Sequence, residues 1–100
     1  MNQTMKMKFL KQMKSRRGAN TLIIFRNGDS FEAYDNDAKV IAQTLALNTF
    51  MDEELETVQF QAFNIEEYSN RLLDAGHSVC VSEMRDASGD YKPNISMEDE

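Results

Sequence analysis

The sequence contains 100 residues, of which 41% are hydrophobic and 28% charged, a composition ordinary for one globular domain. No apolar run approaches the roughly 20 residues that span a bilayer, and the N-terminal lysines precede no apolar segment with a cleavage site. We therefore expect no membrane segment and no secretory signal, and the cytoplasm is the predicted compartment. A chain of this size can bury a core on one side of a sheet but is too small for two independent cores.

Charge is distributed very unevenly along the chain. Seven Lys or Arg residues and no carboxylate precede Asp29, whereas Asp29 and the residues after it contain 17 carboxylates and four bases, so that +7 and −13 give the net charge of −6. An acidic body repels phosphate at long range, so nucleic acid would have to contact the basic N-terminal segment. The alternative is that this segment is only a solvated helix face.

The first predicted element is an amphipathic helix, because three apolar residues recur at a spacing of four among lysines: Met5, Phe9 and Met13. A nearly continuous apolar run predicts a central strand over residues 21–26. Asn27 and Gly28 then predict a tight turn into a second strand over residues 30–34. Asp35 stands where the N-cap of a second helix is expected.

An acidic connection over residues 48–56 follows the second helix. Alternation then predicts a half-exposed strand with one polar but uncharged face: Thr57, Gln59 and Gln61. Asn64 and Glu67 match a capping box that opens a third helix, and Gly76 supplies its left-handed end. The last strand is predicted over residues 77–83, with the single cysteine, Cys80, as a small buried residue.

This order, α-β-β-α-β-α-β, predicts an α+β fold in which a mixed sheet of about four strands carries three packed helices. Residues 1–86 form the predicted domain, and the acidic residues 87–100 are predicted to be a mobile tail. The predicted core includes nine positions: Leu22, Ile24, Ile41, Leu45, Val58, Phe60, Leu72, Val79 and Val81.

Carboxylates cluster near the predicted hairpin and second helix, at Asp29, Glu32, Asp35 and Asp37, but without the spacing of a metal-binding loop. Helix N-termini favour carboxylates, so capping is the preferred interpretation. His77, the single histidine, has no second nucleophile or base at a recognisable spacing. We therefore predict a protein that is not an enzyme and that uses no metal and no cofactor.

Three segments resemble, in order, the N-terminal mismatch-recognition domain of the MutS DNA mismatch repair proteins. TLIIFRNGDSFEAY resembles that family's apolar strand leading into FRMGDFYE, DNDAKVIAQTLAL resembles the helix with a typical EDAK, and EEYSNRLLDAGHSVCVSEMRD resembles DSYIAKLVKKGYKVAICEQLED. The resemblance covers residues 5–86 and implies a stand-alone MutS domain I-like fold. The ATPase, clamp and lever domains have no room in this chain, so we expect a function without ATP hydrolysis.

In the mismatch-binding members of that family, the residue after GD is a phenylalanine that wedges into the base stack, and a glutamate two residues on contacts the mismatched base. Ser30 stands here at the wedge position and Glu32 at the glutamate position. Strand alternation places Phe31 on the opposite face from Ser30, so Phe31 cannot supply the ring. An aromatic stack on a base is worth about 1–3 kcal/mol, and the resemblance therefore implies weak or remodelled DNA binding. Asn27 in place of the family's Met, FQAF in place of VPYH and the acidic connection alter the same surface.

The leading hypothesis is a non-enzymatic MutS domain I-like module that binds double-stranded DNA weakly. Its candidate nucleic-acid-binding residues are Asn27, Ser30 and Glu32 at the hairpin, with Arg16, Arg17 and Arg26 for phosphate. The bland alternative is that the hairpin is only a surface turn. The rival hypothesis is a regulatory adaptor that no longer binds DNA and associates with itself or with repair or replication proteins. Exposure of Phe31, Phe50 or Phe63 would favour that rival.

Overall fold

The computed structural model describes residues 3–83, and the predicted tail over residues 87–100 lies outside the described residues. The elements in chain order are α1 (Gln3–Arg17), β1 (Thr21–Asn27), β2 (Ser30–Tyr34), α2 (Asn36–Leu45), β3 (Phe50–Asp52), β4 (Leu55–Gln61), a 3₁₀ helix (Ala62–Asn64), α3 (Ile65–Asp74) and β5 (Ser78–Glu83). Within residues 3–83, no helix is both long enough and apolar enough to cross a membrane.

Within residues 3–83, the strands form one mixed sheet of five strands in the order β3-β4-β2-β1-β5. β1 pairs in parallel with β5, and the other neighbouring pairs are antiparallel. The predicted α+β fold with three helices on a mixed sheet is confirmed. The acidic connection was predicted without a strand, which is wrong, because it contains β3 and a tight turn at Glu53 and Glu54, both with positive φ.

Apolar residues are buried on both faces of the sheet. The larger cluster lies between the sheet and the pair α2 and α3, and it contains all nine predicted core positions. A second cluster lies under α1 and includes Phe9, Met13, Phe25 and Cys80. The expectation of a core on one side only is therefore wrong, since alternate residues of β1 pack against α1 and against α2 with α3.

The β1–β2 hairpin closes with Gly28 and Asp29 as its two loop residues, because Asn27 and Ser30 still pair as the last residues of their strands. Only Gly28 of the two has a positive φ, 65°, which suits a turn with glycine at its first central position. The sequence signal was therefore correct for a tight turn, but Asn27 is the end of β1 and not a loop residue.

The predicted cap positions of α2 and α3 are confirmed, and Gly76 follows α3 with a left-handed φ of 96°. Asp35 and Asn64 occupy the N-cap positions of α2 and α3, but within residues 3–83 neither side chain makes a capping hydrogen bond. Asp37, 4% exposed, instead accepts hydrogen bonds from the backbone N–H of Ile23 at 3.0 Å and from Lys14 Nζ at 2.7 Å. It therefore joins α2 to β1 and α1 and does more than cap α2.

Candidate nucleic-acid interface

Helix α1 packs against one face of the sheet. At the hairpin end of this face lies a row of uncharged polar side chains. Ser30 pairs with Asn27 on one side and with Gln61 on the other, and Glu32 pairs with Gln59. Residues paired in this way share a face of the sheet. We call Asn27, Ser30, Gln59 and Gln61 the amide surface; its three amide residues are exposed and Ser30 is partly buried.

Glu32 lies beneath the amide surface and is only 6% exposed. Its carboxylate accepts hydrogen bonds from Tyr34 Oη at 2.9 Å, Gln59 Nε2 at 3.0 Å and Asn27 Nδ2 at 3.4 Å. Lys6 Nζ lies 4.0 Å from Glu32 Oε1. The protein itself therefore compensates this negative charge, and a base could contact Glu32 only by taking the place of one of these donors.

Lys6, although a lysine, is an interior residue with 7% exposure. Its ammonium lies 2.7 Å from Asp52 Oδ2 and 5.0 Å from the centroid of the Tyr34 ring. The hydrogen bond and the positive charge from Lys6 hold the pKa of the Asp52 carboxyl below its usual range. Lys6 fastens α1 to β3 and is not available to a phosphate group in this arrangement.

Lys14 is paired as well, through Asp37, so two of the seven bases before Asp29 serve the fold. The exposed bases Lys8, Lys11 and Arg16 lie on the outer surface of α1, and we call them the basic ridge. Lys11 and Arg16, with Gln12 and Ser15, line a shallow cavity of about 560 Å³. This helix lies on the same side of the sheet as the amide surface.

The structure does not bring the predicted arginines together at the hairpin. Arg26 pairs with Phe31 on the opposite face from Ser30, where its guanidinium lies 5.5 Å from the Phe31 ring and its Nε donates to Gly28 O at 3.0 Å. Arg16 and Arg17 lie at the end of α1, beside the start of β1. Since the hairpin is at the other end of β1, about 20 Å of strand separates these two arginines from it.

Aromatic residues near the hairpin divide between core and surface. Phe31 lies on the opposite face from Ser30, as strand alternation predicted, and there it is 3% exposed and stacks on Phe60 at 5.9 Å between ring centroids. Phe63, in the 3₁₀ helix, is 80% exposed, and Phe50 on β3 is 45% exposed. Phe63 also lines a cavity of about 420 Å³ beside the hairpin turn.

The segment FQAF already placed Gln61 on the altered surface, whereas Gln59 was not expected there, although its alternation with apolar residues was a usable signal. Lys6 gave no such signal, because nothing in its local pattern distinguishes it from the neighbouring lysines. Among residues 3–83, no three His, Cys, Asp or Glu side chains are grouped so as to hold a metal ion.

Comparison with known proteins covers nearly all of the described residues. A family model described as "MutS domain I" matches residues 4–96. A DNA mismatch repair protein MutS from Chlamydia abortus is 33% identical over 86 residues, which are 86% of this chain and 10% of that protein.

Two further relatives carry the same description. The protein from Chlamydia muridarum is 30% identical over 77 residues, 77% of this chain and 9% of its own length. That from Thermotoga maritima is 27% identical over 81 residues, 79% of this chain and 10% of its own length. The chain thus spans about a tenth of these curated relatives, and by the extent of the family match it belongs to the MutS domain I family.

Proposed function

We propose that this chain is a cytoplasmic, non-enzymatic module related to DNA mismatch repair, whose contact with double-stranded DNA is weak or remodelled. The observation that carries the proposal is the amide surface with Ser30 at its centre, where a wedging ring would have to emerge. A serine hydroxyl can form a hydrogen bond to DNA but cannot unstack a base step as an inserted apolar ring does.

The chemistry of this face suits DNA in two ways. Asn and Gln side chains carry both donors and acceptors for base edges and phosphate oxygens, so the amide surface can bind without a charge of its own. The basic ridge on α1 supplies sequence-independent attraction to phosphate on the same side of the sheet. The buried Glu32 adds little repulsion, because Lys6 and three hydrogen-bond donors surround its carboxylate.

Titration of labelled homoduplex, mismatched and single-stranded DNA at several salt concentrations tests this proposal. We expect weak, strongly salt-dependent duplex binding with little preference for a mismatch. Gln61→Ala, in the amide surface, should weaken duplex binding, whereas the matched control Gln43→Ala, an exposed residue of α2, should not. Absence of binding to every DNA at low salt would refute the proposal.

The second candidate function is the interaction adaptor, and exposed apolar side chains favour it. Phe50 and Met51 on the edge strand β3 are 45% and 64% exposed, and Phe63 is 80% exposed. An edge strand whose apolar side chains are exposed can pair with a strand of another chain. Sedimentation velocity over a concentration series would detect self-association, and Met51→Ser should reduce it if β3 is the contact.

A further inference from the structure

Phe63 lies beside Ser30, and the two residues line the same cavity. Ser30 pairs with Gln61 across the β2–β4 ladder, and Phe63 follows Gln61 by two residues. The backbone N–H of Ala62 donates to the carbonyl of Asp29 at 2.8 Å, so the 3₁₀ helix that carries Phe63 is tied to the hairpin turn. An exposed aromatic ring at this end of the sheet is thus supplied by the 3₁₀ helix and not by β2.

Phe63 shares a cavity of about 420 Å³ with Asp29, Ser30, Gln61 and Ala62. This volume lies within the roughly 300–1,000 Å³ typical of sites for small organic groups. The residues that line it carry an aromatic ring that is 80% exposed, a hydroxyl, an amide and a carboxylate. A flat, neutral, polar-edged group matches such a lining, because its face can stack while its edge forms hydrogen bonds.

The carboxylate of Asp29 decides which part of a nucleic acid fits this cavity. A phosphate group beside Asp29 would meet like charge, whereas a nucleobase is neutral and carries N–H donors that a carboxylate or a Gln oxygen accepts. A base stacked inside a duplex presents only its edge, and Ser30 has no ring with which to unstack it. A base that is already unpaired costs least to place on a ring.

We propose that Phe63, with Ser30 and Gln61, forms a stacking site for one unpaired base of a single-stranded nucleic acid. This inference rests on the proposed DNA-binding function and narrows it, since the preferred ligand becomes a single strand and not a mismatched duplex. The site accepts each of the four bases, because every base has a face that stacks on an aromatic ring. The basic ridge on α1 attracts the strand's phosphates, and Phe63 distinguishes a strand that carries bases from one that does not.

The test compares a labelled single-stranded oligonucleotide with an abasic strand of equal length and charge. Loss of an aromatic stack weakens binding by about 5-fold to 150-fold per base. Wild-type protein should therefore prefer the base-bearing strand by a factor in this range, and Phe63→Ala should abolish the preference while leaving abasic-strand affinity unchanged. Phe50→Ala, the control at the other exposed phenylalanine, should retain the preference.

A second measurement does not depend on affinity. The chain contains no tryptophan, so Phe63→Trp introduces a single indole whose fluorescence should be quenched by the base-bearing strand and not by the abasic strand. Because Phe63 is 80% exposed, both variants should unfold at the wild-type temperature. This keeps a binding loss distinct from a folding loss.

Three outcomes would overturn the inference. If wild-type protein binds neither single-stranded nor duplex DNA, the proposed function fails and the stacking site fails with it. If DNA binds but the base-bearing and abasic strands bind equally, or if Phe63→Ala retains the preference, only the stacking site fails. If Phe63→Ala abolishes self-association and leaves all DNA affinities unchanged, Phe63 belongs to a protein contact.

Discussion

Glu32 stabilises the hairpin end of the sheet because its carboxylate accepts hydrogen bonds from side chains of its own strand and of both neighbouring strands. Asn27 on β1, Tyr34 on β2 and Gln59 on β4 all donate to it. Hydrogen bonds to a charged acceptor are worth about 1.5–3 kcal/mol each, and more is lost when a buried charge loses its partners. Glu32, whose position the family resemblance links to base contact, therefore has a structural role in this chain.

Replacing Ser30 with Phe should restore a wedge on the amide surface. If this surface faces a duplex, affinity for mismatched DNA should rise by about 1–3 kcal/mol over wild type, and Glu32→Gln should then remove the gain. Competition binding with mismatched and perfect duplexes measures the effect. Ser15→Phe, on the outer surface of α1, is the control for non-specific binding caused by an added exposed ring. If the Ser30→Phe variant folds normally but gains no affinity for mismatched DNA, the β1–β2 hairpin is only a surface turn and not a DNA contact.

Strand alternation predicted that Ser30 and Phe31 occupy opposite faces of the sheet, because side-chain direction has a period of two within a strand. It could not predict that Glu32 is buried, since that depends on Gln59, 27 residues away, and on Lys6 from α1. Long-range contacts between polar residues leave no local pattern. The alternation of side chains at the candidate site was therefore predictable, and its internal hydrogen bonds were not.

Asp37 should matter far more for stability than its neighbour Asp35. Asp37→Ala leaves the Ile23 N–H without its acceptor and Lys14 without its counter-charge, and should lower the free energy of unfolding by about 3 kcal/mol. Asp35→Asn, at an exposed position whose side chain makes no capping hydrogen bond in the described part of the chain, should change it by less than about 0.5 kcal/mol. Urea unfolding of both variants measures the difference; equal effects would contradict the assignment of Asp37.

At the scale of elements, the structure differs from the prediction where residues adopt backbone angles that are unusual for their type. β3 is three residues long, and its turn uses Glu53 and Glu54 with φ of 53° and 68°, angles for which Gly and Asn are the usual signal. The longer elements were predictable because their apolar spacing repeats over two or more turns or pleats. Short strands without turn residues lack that repetition.

The C-terminus of α2 offers a test of such backbone strain. Ala46 follows the helix with φ 60° and ψ 43°, a left-handed conformation that costs an L-residue roughly 1–2 kcal/mol. Ala46→Gly should raise the free energy of unfolding by about 0.5–1 kcal/mol after the larger entropy of unfolded glycine is deducted, a gain of roughly 2–8 °C in melting temperature. Ala75→Gly at the end of α3, where φ is −80°, should give no gain. Equal shifts of the melting temperature in both variants would contradict the assignment of backbone strain to Ala46.

At the scale of the whole molecule, positive charge is concentrated on and around α1, and part of it is internal. Lys6 and Lys14 neutralise carboxylates on β3 and α2, while the basic ridge faces outward. The acidic remainder contributes repulsion toward a polyanion. Net charge alone therefore understates the attraction that one side of the molecule can exert on DNA.

Changing Arg16, Arg17 and Arg26 together to Gln should reduce DNA affinity and the salt dependence of binding. Each lost phosphate contact lowers the slope of log K against log salt by about 0.9, so the largest expected reduction is about 2.7. Fluorescence anisotropy at several salt concentrations measures the slope. Lys39→Gln with Arg71→Gln, two exposed bases on α2 and α3, is the control. An unchanged slope in the triple variant would move the phosphate contacts elsewhere on the surface.

The parallel pairing of β1 with β5 sets the order in which a growing chain can complete this fold. Until residues 78–83 arrive, β1 has one unpaired edge, and its apolar residues Ile23 and Ile24, both fully buried in the finished sheet, have no strand beside them. Such an exposed apolar edge is a template for association with other chains. During synthesis on the ribosome, the sheet therefore stays open until its last strand emerges, and a product that stops at Gly76 would be prone to aggregate although it contains four of the five strands.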